Sequence, residues 1–152
     1  MLGRVTACLL AILVTVLLTV KHMGNHEAIR SENCIRYALE NFMSHIEIKG
    51  TLEADDVIEL NSVISRSGKI CDIEIEIGTV IHGRNEDAIE VMYYEEILNE
   101  LEKGLGVIDL KKRMISVFVI PKSVCLGEKM ANILWETYTG PEIIVTGGFI
   151  HG

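Results

Sequence analysis

A run of sixteen residues near the start of the chain, Val5 to Val20, contains no charged side chain, and only its three threonines are polar. As a helix rising about 1.5 Å per residue, the run reaches about 24 Å, and the apolar residues before Gly3 extend it toward the ~30 Å of a bilayer core. Arg4 is long enough for its guanidinium to reach the lipid headgroups. The run therefore predicts a single membrane-spanning helix.

The alternative for this run is a cleaved signal peptide. Its hydrophobic region is at or beyond the usual length, and no small-x-small cleavage site follows, because the chain continues Thr-Val-Lys-His. We therefore expect a retained anchor over residues 1–24 and a single domain over residues 25–152. Arg4 precedes the run and three basic residues follow within twenty positions, so the positive-inside rule leaves the orientation open.

No proline separates the anchor from the next segment, and the helix is predicted to continue to about Gly50. This second half is amphipathic, since its apolar residues recur at intervals of three, four and seven. The predicted stripe consists of Ala28, Ile35, Leu39, Phe42 and Ile46.

Two shorter helices are predicted further along the chain. The first covers residues 52–68, capped by Thr51 and ended by Gly68, with a buried face of Val57, Leu60 and Ile64. The second covers residues 92–104, with a buried face of Tyr94, Ile97, Leu98 and Leu101.

Alternation of apolar and acidic residues from Cys71 to Ile77 is the clearest strand signal in the chain. Its acidic row, Asp72, Glu74 and Glu76, is expected to be a solvated strand face, because side chains two residues apart along a strand do not converge on one cation. A strand over residues 111–122 is apolar on both faces except at Ser116, which predicts a central position with cover on both sides.

The remaining segments predict a loop or the end of a hairpin over residues 84–91, and a last helix or turn over residues 126–140. Met130, Ile133 and Leu134 are the core residues expected in that last helix. A final strand over residues 141–152 is expected to bend at Gly147 and Gly148. Together these elements predict an α+β fold, with the long N-terminal helix packed on a small, mostly antiparallel sheet.

The charge and the motifs of the chain limit the classes of function that we expect for it. The net charge of −8 argues against nucleic acid as a partner. The sequence contains no P-loop, dinucleotide fingerprint, GxSxG or CxxC motif, so we expect a protein that is not an enzyme and has no catalytic residue, cofactor or small-molecule substrate.

His22 and His26 have a spacing that metals use, but two ligands do not define a site, and we expect no metal. Cys71 and Cys125 begin or follow strands and form the candidate disulfide.

Several short motifs occur in a defined order along the whole chain: a leader ending in Gly3, the apolar run, Gly-Thr-Leu from Gly50, Ser-Gly at Gly68, Tyr-Tyr-Glu-Glu-Ile from Tyr93 and Gly-Gly-Phe-Ile from Gly147. In this order the chain resembles the TadE-like pseudopilins of Firmicutes tight-adherence or conjugation-type loci, which follow the type IV pilin plan. The resemblance implies a pilin-like fold whose N-terminal helix serves in both anchoring and assembly.

The resemblance also implies a processing junction between Gly3 and Arg4. The early glutamate of major pilins would fall at Cys8, and no acidic residue precedes Glu27. The implied function is a minor pseudopilin-like structural subunit of a Tad-type pilus or secretion apparatus, at the cell membrane with its domain outside the cytoplasm. Its partners would be lipid and other subunits of the apparatus. The residues leave open a single-pass anchored binding or sensor domain that does not polymerise, with a peptide ligand at a sheet edge.

Overall fold

The computed structural model describes residues 2–82, 87–103, 106–124, 129–130, 132–133 and 142–151. Its helices are α1 (Leu2–Lys49), α2 (Ala54–Ser65) and α3 (Tyr94–Lys103). Its strands are β1 (Thr51–Glu53), β2 (Cys71–His82), β3 (Asp87–Met92), β4 (Val107–Asp109), β5 (Arg113–Pro121) and β6 (Ile144–Phe149). The fold is α+β, as predicted.

The first helix, α1, runs for 48 residues without interruption, continuing through Gly24. It ends at Gly50, which adopts a φ of +69° and donates its N–H to the Ile46 carbonyl at 2.8 Å. This left-handed conformation after the last helical residue is one that glycine adopts without a steric penalty. Of the predicted stripe, Ala28 is only half-buried, and the buried residues are Ile35, Leu39, Phe42 and Ile46.

Four strands form one antiparallel sheet in the order β3, β2, β5, β6. The central position predicted for β5 is therefore confirmed. The alternation predicted for β2 is also confirmed, since Ile73, Ile75 and Ile77 are buried whereas Glu74 is exposed. These isoleucines share the inner face of the sheet with Val117 and Val119 of β5.

The inner face of the sheet and the three helices enclose one hydrophobic core. The buried faces predicted for the two shorter helices are confirmed for most positions, while Tyr94 and Leu98 are half-buried. The fully or nearly fully buried residues of α2 and α3 are Val57, Leu60, Ile64, Ile97 and Leu101.

The cover predicted for the outer face of β5 is incomplete among the residues that the structure describes. Met114 of β5 is 45% exposed, and Val145 and Phe149 of the neighbouring strand β6 are 55% and 41% exposed. The alternation in the sequence shows that a face is apolar, but it does not show whether the chain itself covers that face. An apolar face is also what a docking surface requires.

Three short elements differ from the prediction. The strands β1 and β4 pair as a two-stranded ribbon in which Thr51 lies opposite Asp109, so Thr51 is not a helix cap, and Glu53 holds that position. Three residues are too few to display a period of two, which is why the ribbon was missed. The segment expected to be a loop or hairpin end contains β3, which pairs along β2 as a hairpin.

The core positions predicted for the last helix are wrong for the residues that can be compared. Met130 and Ile133 are helical but 48% and 81% exposed, and Leu134 lies outside the described residues.

Candidate functional site

The N-terminal half of α1 presents apolar side chains that the domain does not cover. Val5, Leu9 and Leu18 are each about three-fifths exposed, at 59%, 62% and 60%. An 18-residue apolar stretch of this helix has none of its residues buried inside the protein. By length and composition, α1 is therefore able to span a membrane once.

The polar groups on this half of α1 are satisfied within the helix. The hydroxyl of Thr6 donates to the Gly3 carbonyl at 3.0 Å, and that of Thr15 donates to the Ala11 carbonyl at 2.8 Å. Thr19 donates in the same way to the Thr15 carbonyl at 2.8 Å. Because hydrocarbon offers no hydrogen-bond partner, this arrangement suits a lipid environment.

The residues of the predicted processing junction, Gly3 and Arg4, are exposed in the first turns of α1. Cys8, at the position of the early glutamate of major pilins, is exposed and carries an unpaired thiol. The first turn of α1 contains no acidic side chain. The junction stays a prediction, since this geometry shows an accessible glycine and not its cleavage.

The other predicted candidates form no site among the described residues. The rings of His22 and His26 meet edge to face with centroids 6.0 Å apart, and no group of three His, Cys, Asp or Glu residues in the described ranges is arranged to hold a metal. Cys125 lies outside those ranges, so its pairing with Cys71 stays a prediction.

A polar junction that sequence reasoning missed joins α1 to α2. Lys49 at the end of α1 donates to both carboxylate oxygens of Asp56, at 2.9 and 3.2 Å, and lies 3.1 Å from Glu53. Asp56 is only 7% exposed and also accepts the Glu53 N–H at 2.8 Å. The hydrogen bond to Asp56 raises the pKa of Lys49 above its usual range. The spacing of two acidic residues three apart, which is typical of a capping box, was the signal available in the sequence.

A cleft of about 190 Å³ lies beside this junction, between α1 and α2. His45 on its rim places Nε2 3.4 Å from Asp56 Oδ1. The residues that line the cleft include no serine, threonine or cysteine, so they offer His45 no hydroxyl or thiol nucleophile. The arrangement links the two helices through the side chains of Lys49, Asp56 and His45.

The acidic row of β2 lies on the outer face of the sheet, as predicted for a solvated strand face. Asp72 forms an ion pair with Lys122. The next two acids face the side chains of β5 across the ladder, with Glu74 opposite Phe118 and Glu76 opposite Ser116. The outer face thus carries carboxylates directly beside apolar residues.

No protein-family model matches the chain, no curated protein matches it, and no solved structure matches it. The architecture alone therefore defines the class: a small α+β domain carried on a helix that is long and apolar enough to span a membrane once.

Proposed function

We propose that the chain is a membrane-anchored, minor pseudopilin-like subunit of a Tad-type pilus or secretion apparatus. The single observation that carries the proposal is the division of α1 into two halves with opposite surroundings. Its apolar N-terminal half is exposed, and its C-terminal half contributes buried residues such as Leu39 and Ile46 to the domain core. One continuous helix that is both anchor and core element is the plan of pilin-like subunits.

Bundling of the exposed halves of several copies supplies the assembly step in this proposal. Helices in a bilayer associate through close packing, which small residues permit. Ala7 and Ala11 are small, and they lie one helical turn apart on the exposed half of α1. Lipid holds each copy in the membrane, and packing between the helices sets the contacts between copies.

The minor role follows from the missing acid. Cys8 occupies the position at which a major pilin would carry a glutamate to neutralise the amino terminus of a neighbouring copy. Without that charge partner, a long homopolymer would leave an ammonium group unpaired in hydrocarbon at each step, which is costly. A subunit that primes or joins an apparatus makes few such contacts.

A second candidate is an anchored binding domain that does not polymerise. The exposed apolar residues on the outer face of the sheet favour it, because a monomeric soluble surface seldom carries such a patch without a partner. In this candidate α1 serves as an anchor alone.

Cysteine scanning in native membranes separates the two candidates. Single cysteines are placed at each position from 5 to 16 in a background in which the four native cysteines are replaced by serine, and copper phenanthroline is used to oxidise them. Bundling predicts cross-linked dimers that recur every three to four residues, on one face of the helix. Ile58→Cys, at a position of α2 that is 64% exposed, reports random collision outside the bilayer. Dimers at no scanned position, or only at the collision level, would leave the anchored binding domain as the function.

Intact-mass measurement of the protein from native membranes tests the processing junction independently. The proposal predicts a chain that begins at Arg4, and Gly3→Val should leave the precursor uncleaved. Val5→Ala, which leaves the glycine in place, is the matched control and should be processed normally. Processing that survives Gly3→Val would overturn the assignment of this junction.

A further inference from the structure

The outer face of the four-stranded sheet is apolar along β5 and β6, and the first half of the neighbouring strand β2 adds a row of carboxylates. Residues directly opposite in an antiparallel ladder project to the same face. Along β6 and β5 the outward pairs are Phe149 with Met114 and Val145 with Phe118. On β2, the next strand, the outward positions from Asp72 to Glu76 carry carboxylates, and Glu74 lies opposite Phe118. The outward positions that follow, Gly78 and Val80, are uncharged.

The apolar side is exposed over several neighbouring residues. Met114, Val145 and Phe149 are 45%, 55% and 41% exposed, and Phe118 and Ile120 on the same face of β5 are half-buried. A cluster of exposed, large apolar side chains on one face of a folded domain is the kind of surface that marks an interaction site. The α1 helix does not cover it, because Met43 of α1 packs against the backbone of Gly148 from the inner face.

The centre of this face is flat. Gly147 and Ser116 lie opposite each other between the two apolar pairs, and they present only a hydrogen and a small hydroxymethyl group. A Cβ at Gly147 would lie 2.9 Å from the Ile115 carbonyl oxygen and 3.1 Å from the Ser116 hydroxyl. The face is therefore low at its centre, with one apolar pair at each end of the stretch of β5 and β6 that a helix lying along these strands would cover.

The acidic side has carboxylates available for a partner. Asp72 is paired with Lys122, but neither Glu74 nor Glu76 forms an ion pair with any residue in the described ranges. Neighbouring strands are about 4.8 Å apart, so these carboxylates lie within one side-chain length of an element seated on β5. The charge that complements this border is positive.

We propose that the outer face docks an amphipathic helix of a partner protein whose apolar stripe is flanked on one side by lysine or arginine. The stripe covers β5 and β6, and the basic flank reaches Glu74 and Glu76. A helix about 10 Å across spans two strands, which matches the width of the apolar side. This inference does not depend on whether the chain polymerises through α1.

Two other occupants fit this face less well. An anionic lipid surface would be repelled by the acidic row. A second copy docked through the same face would place its own Glu74 and Glu76 against carboxylates or apolar side chains, which is unfavourable for both.

The test uses the full chain in phosphatidylcholine nanodiscs and two model peptides of about 14 residues, a Leu–Lys amphipathic helix and a Leu–Glu helix of the same pattern. Methionine oxidation by hydrogen peroxide, followed by mass spectrometry, reports cover at single residues. Met114 lies on the proposed surface. Met130 and Met23, which lie outside the sheet and are 48% and 65% exposed, serve as internal references, and Met23 also reports peptide bound at the lipid end of α1.

The proposal predicts that saturating Leu–Lys peptide slows oxidation of Met114 by about fivefold or more while the two references change little, as burial of an exposed thioether requires. Leu–Glu peptide at the same concentration should leave Met114 unprotected. The double variant Glu74→Lys/Glu76→Lys should reverse this preference. Glu100→Lys/Glu102→Lys, the same charge change at exposed positions of α3, should not.

Three results would overturn the proposal. They are absence of Met114 protection by either peptide, equal protection by both peptides, and a preference for Leu–Lys that survives the reversal of Glu74 and Glu76. Because the wild-type comparison of the two peptides needs no substitution, the test holds even if a variant folds poorly.

Discussion

Replacement of Asp56 by alanine should destabilise the domain by about 2–3 kcal/mol. Loss of the carboxylate leaves the Glu53 N–H without its acceptor, which costs about 1 kcal/mol for a helix cap. Loss of the hydrogen bonds from Lys49 costs about 1.5–3 kcal/mol in a buried setting. The actual cost of losing these hydrogen bonds is lower, because the Lys49 side chain is 26% exposed and keeps its ion pair with Glu53 at 3.1 Å.

The matched control is Asp55→Ala. Asp55 lies in the same first turn of α2 but is exposed, so its removal affects only the interaction with the helix dipole, about 0.5 kcal/mol. Thermal unfolding of the full chain in dodecylmaltoside micelles, followed by near-ultraviolet circular dichroism, compares the two. For a domain of this size, Asp56→Ala should lower Tm by about 6–12 °C and Asp55→Ala by about 2 °C.

A double-mutant cycle with Lys49→Met measures the part of this effect that belongs to the pair. The two changes together should cost about 1–2 kcal/mol less than the sum of the single changes, since each removes the same hydrogen bonds. Equal shifts for Asp56→Ala and Asp55→Ala, or strict additivity in the cycle, would refute the reasoning, because either would reduce Asp56 to a charge near a helix terminus.

Three further outcomes are expected. Gly147→Ala should lower the free energy of unfolding, measured with urea, by about 1–3 kcal/mol, because its Cβ would lie 2.9 Å from a backbone carbonyl oxygen. Gly148→Ala should lower it less, since the nearest neighbour of that Cβ is a flexible methionine side chain at 3.5 Å. Ile75→Ala, at a side chain that is 0% exposed, should lower the free energy of unfolding by about 2–5 kcal/mol in the same assay. Ile70→Ala, at a side chain that is 69% exposed, should lower it by less than about 0.5 kcal/mol. Because the folded state raises the pKa of Lys49, the stability that its charge contributes is fully present below the ordinary lysine pKa of about 10.4 and is lost as the pH rises through the folded pKa. The Tm values of the wild type and of Lys49→Met should therefore converge as the pH is raised across that range.

Elements with a long, regular pattern were predictable from the sequence. The stripe that ends at Ile46 and the alternation from Cys71 to Ile77 each bury one face, so burial imposes a period on the residues. The ribbon of β1 and β4 was not predictable, since its pairing joins residues far apart in the chain through three positions each. Thr51 was assigned as a cap because local propensity favoured it, and this long-range pairing decided otherwise.

The functional surfaces were predictable only in part. The apolar run predicted the exposed half of α1, because no small domain covers sixteen consecutive apolar residues on all sides. The outer face of the sheet was visible as apolar positions such as Phe118, but the sequence pattern does not distinguish a face covered by the same chain from one left for a partner. The capping-box spacing of Glu53 and Asp56 was visible in the sequence, but the ion pair of Asp56 with Lys49 was not, because it depends on how the chain turns between α1 and α2.

The unbroken course of α1 through Gly24 makes the protein a rigid lever. Residues 25–49 span about 37 Å at 1.5 Å per residue, and the part from Ile35 onward is packed into the domain core. A tilt of about 20° in the bilayer, which is ordinary for a spanning helix, therefore displaces the far end of this segment sideways by about 13 Å. With no hinge to absorb the rotation, any force that reorients the apolar half in the membrane swings the whole domain, and a pull on the domain is transmitted to the lipid along a single rod.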